Sequence, residues 1–314
     1  LPKAKKVFVG NYKGGVGKTT SIYQIALHMV ESGKKVLLID LDPQCSLSEI
    51  CLARTGLDLE RLKDHECLNY VYDIWIQKKH LPTLHVDLDK KPLIKETEEG
   101  VHFIPSNLFY SNGGLDDLAQ RLKDDFYDLL TLQQFFKYSH VEDDFDYVLF
   151  DCPPSNNIIT QGAFLLSDYY IIPSIIQPMS IRGVVHYIKT VDKIYKKKCK
   201  DTENAILAKE LFGEKPELLG IFETLKRGTV NNDTVLNDLN QHLTKAKVET
   251  LLSSIGPEKY VFDTAINNYE HIARATENGK KAVEYKELTK EILNCIEQKP
   301  IKTLIFSGGK RWLK

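Results

Sequence analysis

Residues 11–20 read NYKGGVGKTT. The stretch lies between an apolar run, KKVFVG at 5–10, and a segment of helical period, SIYQIALHMV at 21–30. In a strand–loop–helix setting, glycines let successive backbone N–H groups turn inward around phosphate oxygens. A helix starting near Lys18 adds the positive end of its dipole. The core Gly14-Gly15-Val16-Gly17-Lys18-Thr19-Thr20 therefore predicts a phosphate-binding loop, with Lys18 reaching the β- and γ-phosphates and the Thr19 hydroxyl ligating Mg²⁺. The strict pattern opens on a glycine. Here Gly10 stands too early and Asn11 opens the loop, so the loop is a variant. The ordinary pattern also leaves a second lysine, Lys13, without a task.

Apolar runs recur along the chain: VLLID at 36–40, VHFIP at 101–105, YVLFD at 147–151, YYIIP at 169–173, LLGIFET at 218–224 and YVFDT at 260–264. Several are apolar on both faces, as strands covered on both sides are. Helical periods lie between them, as in Ile22, Ile25, Ala26 and Met29, or Val184, Tyr187, Ile188 and Val191. Asn232 or Asp233 can cap a helix carrying Val235, Leu239 and Leu243, and Tyr285, Leu288 and Ile292 mark a last one. Strands alternating with helices predict an α/β fold, a mostly parallel twisted sheet with helices on both faces. Asp40 and Asp42 end one strand and, at a period of two, point to one side. Asp151 ends another. Ligands of open α/β sheets sit beyond the carboxyl ends of the strands, so one of these aspartates can enter a Mg²⁺ shell and another can orient water.

Composition narrows the field. The 314 residues carry a formal net charge of -1, so no whole-molecule field attracts a polyanion, and any such binding needs a local patch. No apolar run is long enough to span a membrane. The basic-then-apolar N-terminus is too short in its apolar part for a signal peptide. Six cysteines without a CxxC pair read as reduced cytosolic thiols. The nine histidines are scattered; His80 and His85 are the nearest pair and have no further ligands beside them, so they read as surface residues.

KGGVGKTT, LIDLDPQ and DYVLFDCPPS, in this order, resemble the ParA/MinD group of deviant Walker A ATPases, and among them the plasmid and chromosome partition ATPases. GVVHYIKTVDKI, LLGIFETL and NYEHIARATENGKKAVEY are similar to that family's later half. The resemblance implies a P-loop ATPase using ATP and Mg²⁺. Two subunits would close over two nucleotides, with Lys13 reaching the phosphates of the partner subunit as an arginine finger does. It implies that Asp42 positions the attacking water and that Asp40, Asp42 and Asp151 stand around the Mg²⁺, Asp151 as the Walker B residue. It implies a ParB-type partner, sequence-independent DNA binding by the ATP-bound homodimer, and a cytoplasmic, nucleoid-associated protein. Lys226 and Arg227 match the family's DNA-contacting position, and Arg274 with Lys280-Lys281 can extend the patch. The base pocket falls near Thr224 and 264–267. Where the family continues DPQ with Gly-Asn, this chain has Cys45-Ser46.

The expected organisation is one ATPase domain over residues 1–300, with a peripheral insertion near 64–100, and a C-terminal extension over 301–314. That extension carries an apolar stripe, Ile301, Leu304, Ile305 and Phe306, beside Lys302, Lys310 and Arg311. The stripe raises a MinD-like membrane-surface ATPase as the alternative, although Gly308-Gly309 breaks it. An iron–sulfur carrier on the same fold would need paired cysteines. A regulator without hydrolysis conflicts with Lys13, Lys18 and Asp42. The run KKKCK at 196–200 is the most basic stretch and reads as a solvated helix end.

Overall fold

The structure, a computed structural model, describes residues 3–79, 88–227, 232–255 and 259–298. His80, His85 and the tail from Ile301 to Lys314 lie outside the described residues. Seven strands form one sheet: β1 (Lys5–Val9), β2 (Val36–Asp40), β3 (Lys95–Glu96), β4 (His102–Ile104), β5 (Tyr147–Asp151), β6 (Tyr169–Ser174) and β7 (Glu217–Glu223). Their order is β3-β4-β2-β5-β1-β6-β7. Every pairing is parallel except β3 on β4 at the edge. All residues of β2, β5 and β6 are buried, which is why their sequences are apolar on both faces.

The helices fill the connections. From the N-terminus they are α1 (Lys18–Glu31), α2 (Ser46–Ala53), α3 (Leu68–Lys78), α4 (Leu115–Arg121), α5 (Phe126–Leu129), α6 (Thr131–Ser139) and α7 (Ile158–Leu166). Then come α8 (Pro178–Tyr195), α9 (Ala205–Phe212), α10 (Asp233–Lys245), α11 (Leu252–Ile255), α12 (Glu270–Glu277) and α13 (Glu284–Glu297). The helices pack in two groups: α12 and α13 lie on α1, and a chain of contacts links α3, α6, α7 and α8. The anticipated stripes point inward: Ile22, Ile25, Ala26 and Met29 on α1, Val184, Tyr187, Ile188 and Val191 on α8, and Tyr285, Leu288 and Ile292 on α13 are all buried.

Three expectations change. YVFDT at 260–264 is not a sheet strand; it runs beside β7 with a single bridge, Val261 to Ile221. Asn232 is the N-cap residue of α10, as expected, but without a side-chain cap bond; its amide donates instead to the Glu223 carboxylate. The polar stretch 64–100 is not merely peripheral. It supplies α3, whose Leu68, Val71, Tyr72 and Ile76 enter the core, and β3 on the sheet edge. Two of its polar residues, Asn69 and Asp73, are buried with α3 and hydrogen-bonded to Asn107 and Tyr110.

Three strand ends converge. Val9 is in register with Asp151, and Asp151 with Asp40. The chain leaves β1 toward β2 on one side and later returns to lay β6 on the other. The loop after β1 therefore sits at the point where the strand order reverses, which is where open α/β sheets present a crevice.

Candidate active site

Leaving β1, Gly10 donates its N–H to the Ile171 carbonyl (3.2 Å). A Cβ at Gly10 would overlap the Tyr187 hydroxyl and the Phe8 ring. Close packing, not phosphate, requires this glycine. Asn11 is buried; its Nδ2 donates to the Pro173 carbonyl (2.8 Å) and its Oδ1 accepts from Lys13 N–H (2.9 Å). One side chain thus ties the loop to the end of β6 and shapes the turn at Lys13. Gly15 and Gly17 have φ of +68° and +75°, a region costly to any residue with a Cβ. Nothing lies within 4 Å of a Cβ built on Gly14, Gly15 or Gly17, so these positions are not crowded by neighbouring groups. Val16, fully buried, anchors the loop from below.

Helix α1 starts at Lys18 with Gly17 as its cap, no side-chain cap bond and no acidic residue in its first turn. Its first N–H groups lack the partners that a capping side chain would give, which makes this end attractive to an anion. Lys18 is only 8% exposed. Among the described residues its ammonium has no hydrogen-bond acceptor and no carboxylate within ion-pair distance. A nearly buried cation without an ion-pair contact, opposed only at longer range by Asp151, is costly unless something anionic joins it. Thr20 is half-buried on the same turn. Lys13, by contrast, is exposed and also unpaired among the described residues, projecting from the loop toward solvent.

Across from α1 stand the aspartates. Thr19 Oγ1 donates to Asp151 Oδ2 (2.8 Å), while Asp151 Oδ1, fully buried, has no partner. Burial first, then the neighbouring Asp40, pushes Asp151 up to about 8. An orphaned carboxylate oxygen beside a threonine hydroxyl is a donor set of the kind a divalent cation takes. Asp40 is different. Its Oδ2 accepts from Ser48 N–H (2.8 Å) and Ser48 Oγ–H (2.6 Å), and its Oδ1 accepts from Asp42 N–H (3.0 Å). Burial still raises it to about 6. Both Asp40 oxygens thus accept hydrogen bonds, from the N-terminus of α2 and from the Asp42 turn. β2 also ends at Asp40, so Asp42 lies in the following turn and the period-of-two argument does not reach it. Asp42 is half-buried and accepts Gln44 N–H (3.0 Å) through Oδ1.

Two supports had no sequence signal of their own. Ser106, after β4, donates its N–H to Ser48 Oγ (2.9 Å), and its hydroxyl reaches Cys45 Sγ (3.1 Å) and the Asp42 carbonyl (3.3 Å). Cys45 has φ of +56°. The glycine that the resembling family carries there matches this left-handed backbone, which here is held by a buried cysteine. Burial raises its thiol to about 12, so it is an inert packing group. All six cysteines are free and buried, and no metal-ligating cluster occurs among the described residues. At the expected base pocket, the Thr224 hydroxyl is buried without a partner, and Thr264 N–H donates to Glu291 (3.0 Å).

The candidate DNA contacts do not form one free patch. Lys226 lies 3.6 Å from the Glu223 carboxylate, and Arg274 lies 3.2 Å from Glu270. Lys281 pairs with Glu31, whereas Arg227 and Lys280 are exposed and unpaired among the described residues. No helix of the described residues is long and apolar enough to cross a membrane.

Comparison with known proteins follows this geometry. A family model described as an AAA domain, AAA_31, matches residues 4–205. The sporulation initiation inhibitor protein Soj of Bacillus subtilis is 29% identical over 193 residues, 61% of this chain and 66% of Soj. The virulence plasmid ParA family protein pGP5-D of Chlamydia psittaci is 28% identical over 286 residues, 90% of this chain and 92% of that one. This chain thus spans just under two thirds of the Soj length and most of pGP5-D. Among solved structures, cobyrinic acid a,c-diamide synthase of Mycobacterium smegmatis with ADP and magnesium superposes with a TM-score of 0.64 at 22% identity, covering 94% of this chain and 96% of that one. A plasmid partition protein of Borrelia burgdorferi bound to AMPPNP gives 0.63 at 20%, covering 95% and 100%. The pNOB8 ParA bound to nonspecific DNA gives 0.55 at 22%, covering 95% and 100%. At these identities the structures establish a shared fold.

Proposed function

This chain belongs to the AAA_31 family of AAA domains, among its ParA/MinD-like partition ATPases, and from that premise we propose that it hydrolyses ATP to drive DNA segregation. The observation that carries this reading is Lys18: a nearly buried ammonium with no carboxylate partner among the described residues, at the uncapped start of α1. A nucleotide's β- and γ-phosphates supply the missing charge. The uncrowded glycine loop leaves room for them, and the first N–H groups of α1 face the same anion.

Thr19 and Asp151 would hold Mg²⁺, the orphaned Asp151 oxygen being the free donor. The ion, when bound, neutralises phosphate charge and fixes the nucleotide's orientation. Asp42, steadied by Asp40 and Ser106, orients a water for in-line attack. Lys13 is exposed, which suits delivery to a nucleotide in a second copy of the chain. In that arrangement two copies close face to face, hydrolysis requires the dimer, and residues 1–300 act as one ATPase unit. We read the ATP-bound dimer as a sequence-independent DNA binder that a ParB-type partner releases by stimulating hydrolysis, in the cytoplasm at the nucleoid. The DNA-bound pNOB8 relative and the partition proteins among the similar chains support that reading.

The deciding experiment measures steady-state ATPase rate with Mg²⁺, alone and with DNA, for the wild type and Lys18→Ala. Hydrolysis that depends on Lys18 supports the assignment; absence of any Lys18-dependent nucleotide binding or turnover removes it.

A further inference from the structure

The C-terminal half of α8 carries lysines at 189 and 193, and the π-helical turn that follows, Lys196–Lys200, continues them at 196 and 200. These positions step by four, three and four, so they form one stripe along the helix. All four side chains are exposed, and none has an ion-pair or hydrogen-bond partner among the described residues. The stripe runs between two clefts of about 380 and 400 Å³ on either flank of α8. The clefts are lined by eight different lysines, five and four with Lys189 shared, against three carboxylates. Two of those carboxylates, Asp192 and Asp124, are already paired, with Lys215 (2.7 Å) and with Lys197 and Lys198. On a chain of net charge -1 this is a concentrated positive surface. It is also where the candidate cations near β7 fall short, since Lys226 and Arg274 each face a glutamate.

We propose that the Lys189–Lys193–Lys196–Lys200 stripe is the surface that docks the phosphate backbone of duplex DNA. The inference rests on the DNA-binding reading above and assigns it a place. Its position suits the task. α8 follows β6 at the phosphate-loop edge of the sheet and runs back toward the start of β6, ending beside Tyr170. Two copies closing over their phosphate loops leave this far end exposed on both. The stripe covers about 16 Å of helix, comparable to several successive charges of a duplex, which carries roughly one per 1.7 Å of axis. Unpaired lysines contact phosphates without reading bases, so binding is sequence-independent. Duplex DNA is favoured over a lipid surface because the neighbouring α9 exposes only Ile206 and Leu207 as large apolar side chains, too few to anchor in a bilayer.

The test compares wild type, a Lys189/Lys193/Lys196/Lys200→Gln variant and the matching →Arg variant. Each is titrated with MgATP against a labelled random-sequence duplex over a range of NaCl concentrations. Circular dichroism and ATP affinity serve as controls for folding and for the nucleotide site. The Gln variant should lose at least about tenfold in DNA affinity and show a salt slope shallower by about 3–4 units. The Arg variant should bind like wild type. If wild type binds DNA and the Gln variant matches it in affinity and slope, the surface lies elsewhere, although the DNA-binding reading stands. If wild type binds no DNA with any nucleotide, that reading and this inference both fall. Charge-dependent binding to vesicles of anionic phospholipid in place of DNA overturns the choice of ligand.

Discussion

Asp40 and Asp151 face each other in register at the ends of adjacent parallel strands, yet their carboxylates do opposite things. Asp40 spends both oxygens on Ser48 and the Asp42 backbone, whereas Asp151 keeps one oxygen wholly unpaired. Two acids of the same kind, side by side, thus differ in what they hold: one is hydrogen-bonded through both oxygens, the other leaves one oxygen open for the proposed Mg²⁺. Replacing them separates the roles. Asp151→Asn should abolish the Mg²⁺ dependence of nucleotide affinity and, by removing a carboxylate that burial disfavours, leave the melt at neutral pH unchanged or higher. Asp40→Asn should loosen the Ser48 contacts and lower stability by about 1–3 kcal/mol, as lost buried hydrogen bonds to a charged group do. Equal melts for the two variants would contradict the division.

The same pair sets a pH dependence. A carboxyl raised by burial holds its proton more tightly in the folded chain. Its contribution is complete below the ordinary value of 3.8 and is lost as pH rises toward about 8 for Asp151 and about 6 for Asp40. Nucleotide-free protein should therefore lose stability across that window, and Asp151→Asn should flatten the upper part of the curve. MgATP should restore more stability near the top of the window than at its bottom, because the cation favours the ionised form. Calorimetric melts at a series of pH values check this; parallel curves for wild type and variant would refute it.

The two loop lysines should behave differently. Lys18→Ala weakens ATP affinity in the monomer, because its ammonium is the buried one. Lys13→Ala should keep that affinity and lose turnover under the proposal that its charge serves a second copy. Asp42→Ala should bind ATP, dimerise and stall. Calorimetry paired with sedimentation resolves all three, and a wild-type rate for Lys13→Ala would end the cross-subunit role.

Cys45 offers a test of backbone strain. At φ of +56°, glycine removes the Cβ conflict but forfeits the buried thiol's packing against Ser106. Cys45→Gly should fall within about 1 kcal/mol of wild type, while the β-branched Cys45→Val should cost more than about 2 kcal/mol. A chemical-denaturation ranking with Val at or above Gly would show that strain does not govern this position.

Gly10→Ala should destabilise through overlap with Tyr187 and Phe8. Tyr187→Phe should recover part of the loss by removing the hydroxyl. No recovery in the double variant would place the conflict in Phe8 or in the backbone.

These residues also show what the chain revealed before its structure. The phosphate loop was legible because its chemistry is local: glycines, a lysine and a threonine at fixed spacing. The parallel sheet was legible because burial on both faces leaves uninterrupted apolar runs in β2, β5 and β6. The role of Asp40 was not, since Ser48 looked like any residue of a short helix and Ser106 is 58 positions away from it. Gly10 looked like a misplaced loop glycine because its neighbour, Tyr187, arrives from α8. The pairing of Lys226 and Arg274 was readable, as each has a glutamate three or four residues earlier. α3 was obscured because the turns around it are polar and its own apolar residues do not form one clean stripe: Asn69 and Asp73 are buried while Ile74 and Trp75 are partly exposed.

Tyr187 gives α8 a mechanical meaning. Fully covered, it sits under Gly10 at the root of the phosphate loop and meets Tyr12 edge-on with ring centroids 4.8 Å apart. Two residues further along the same helix the lysine stripe begins, and Lys200 lies about 20 Å beyond the tyrosine along the axis. One continuous helix thus carries, on its inner side, the aromatic floor of the phosphate loop and, on its outer side farther along, the row of lysines, so the loop and the charged end share a single rigid support.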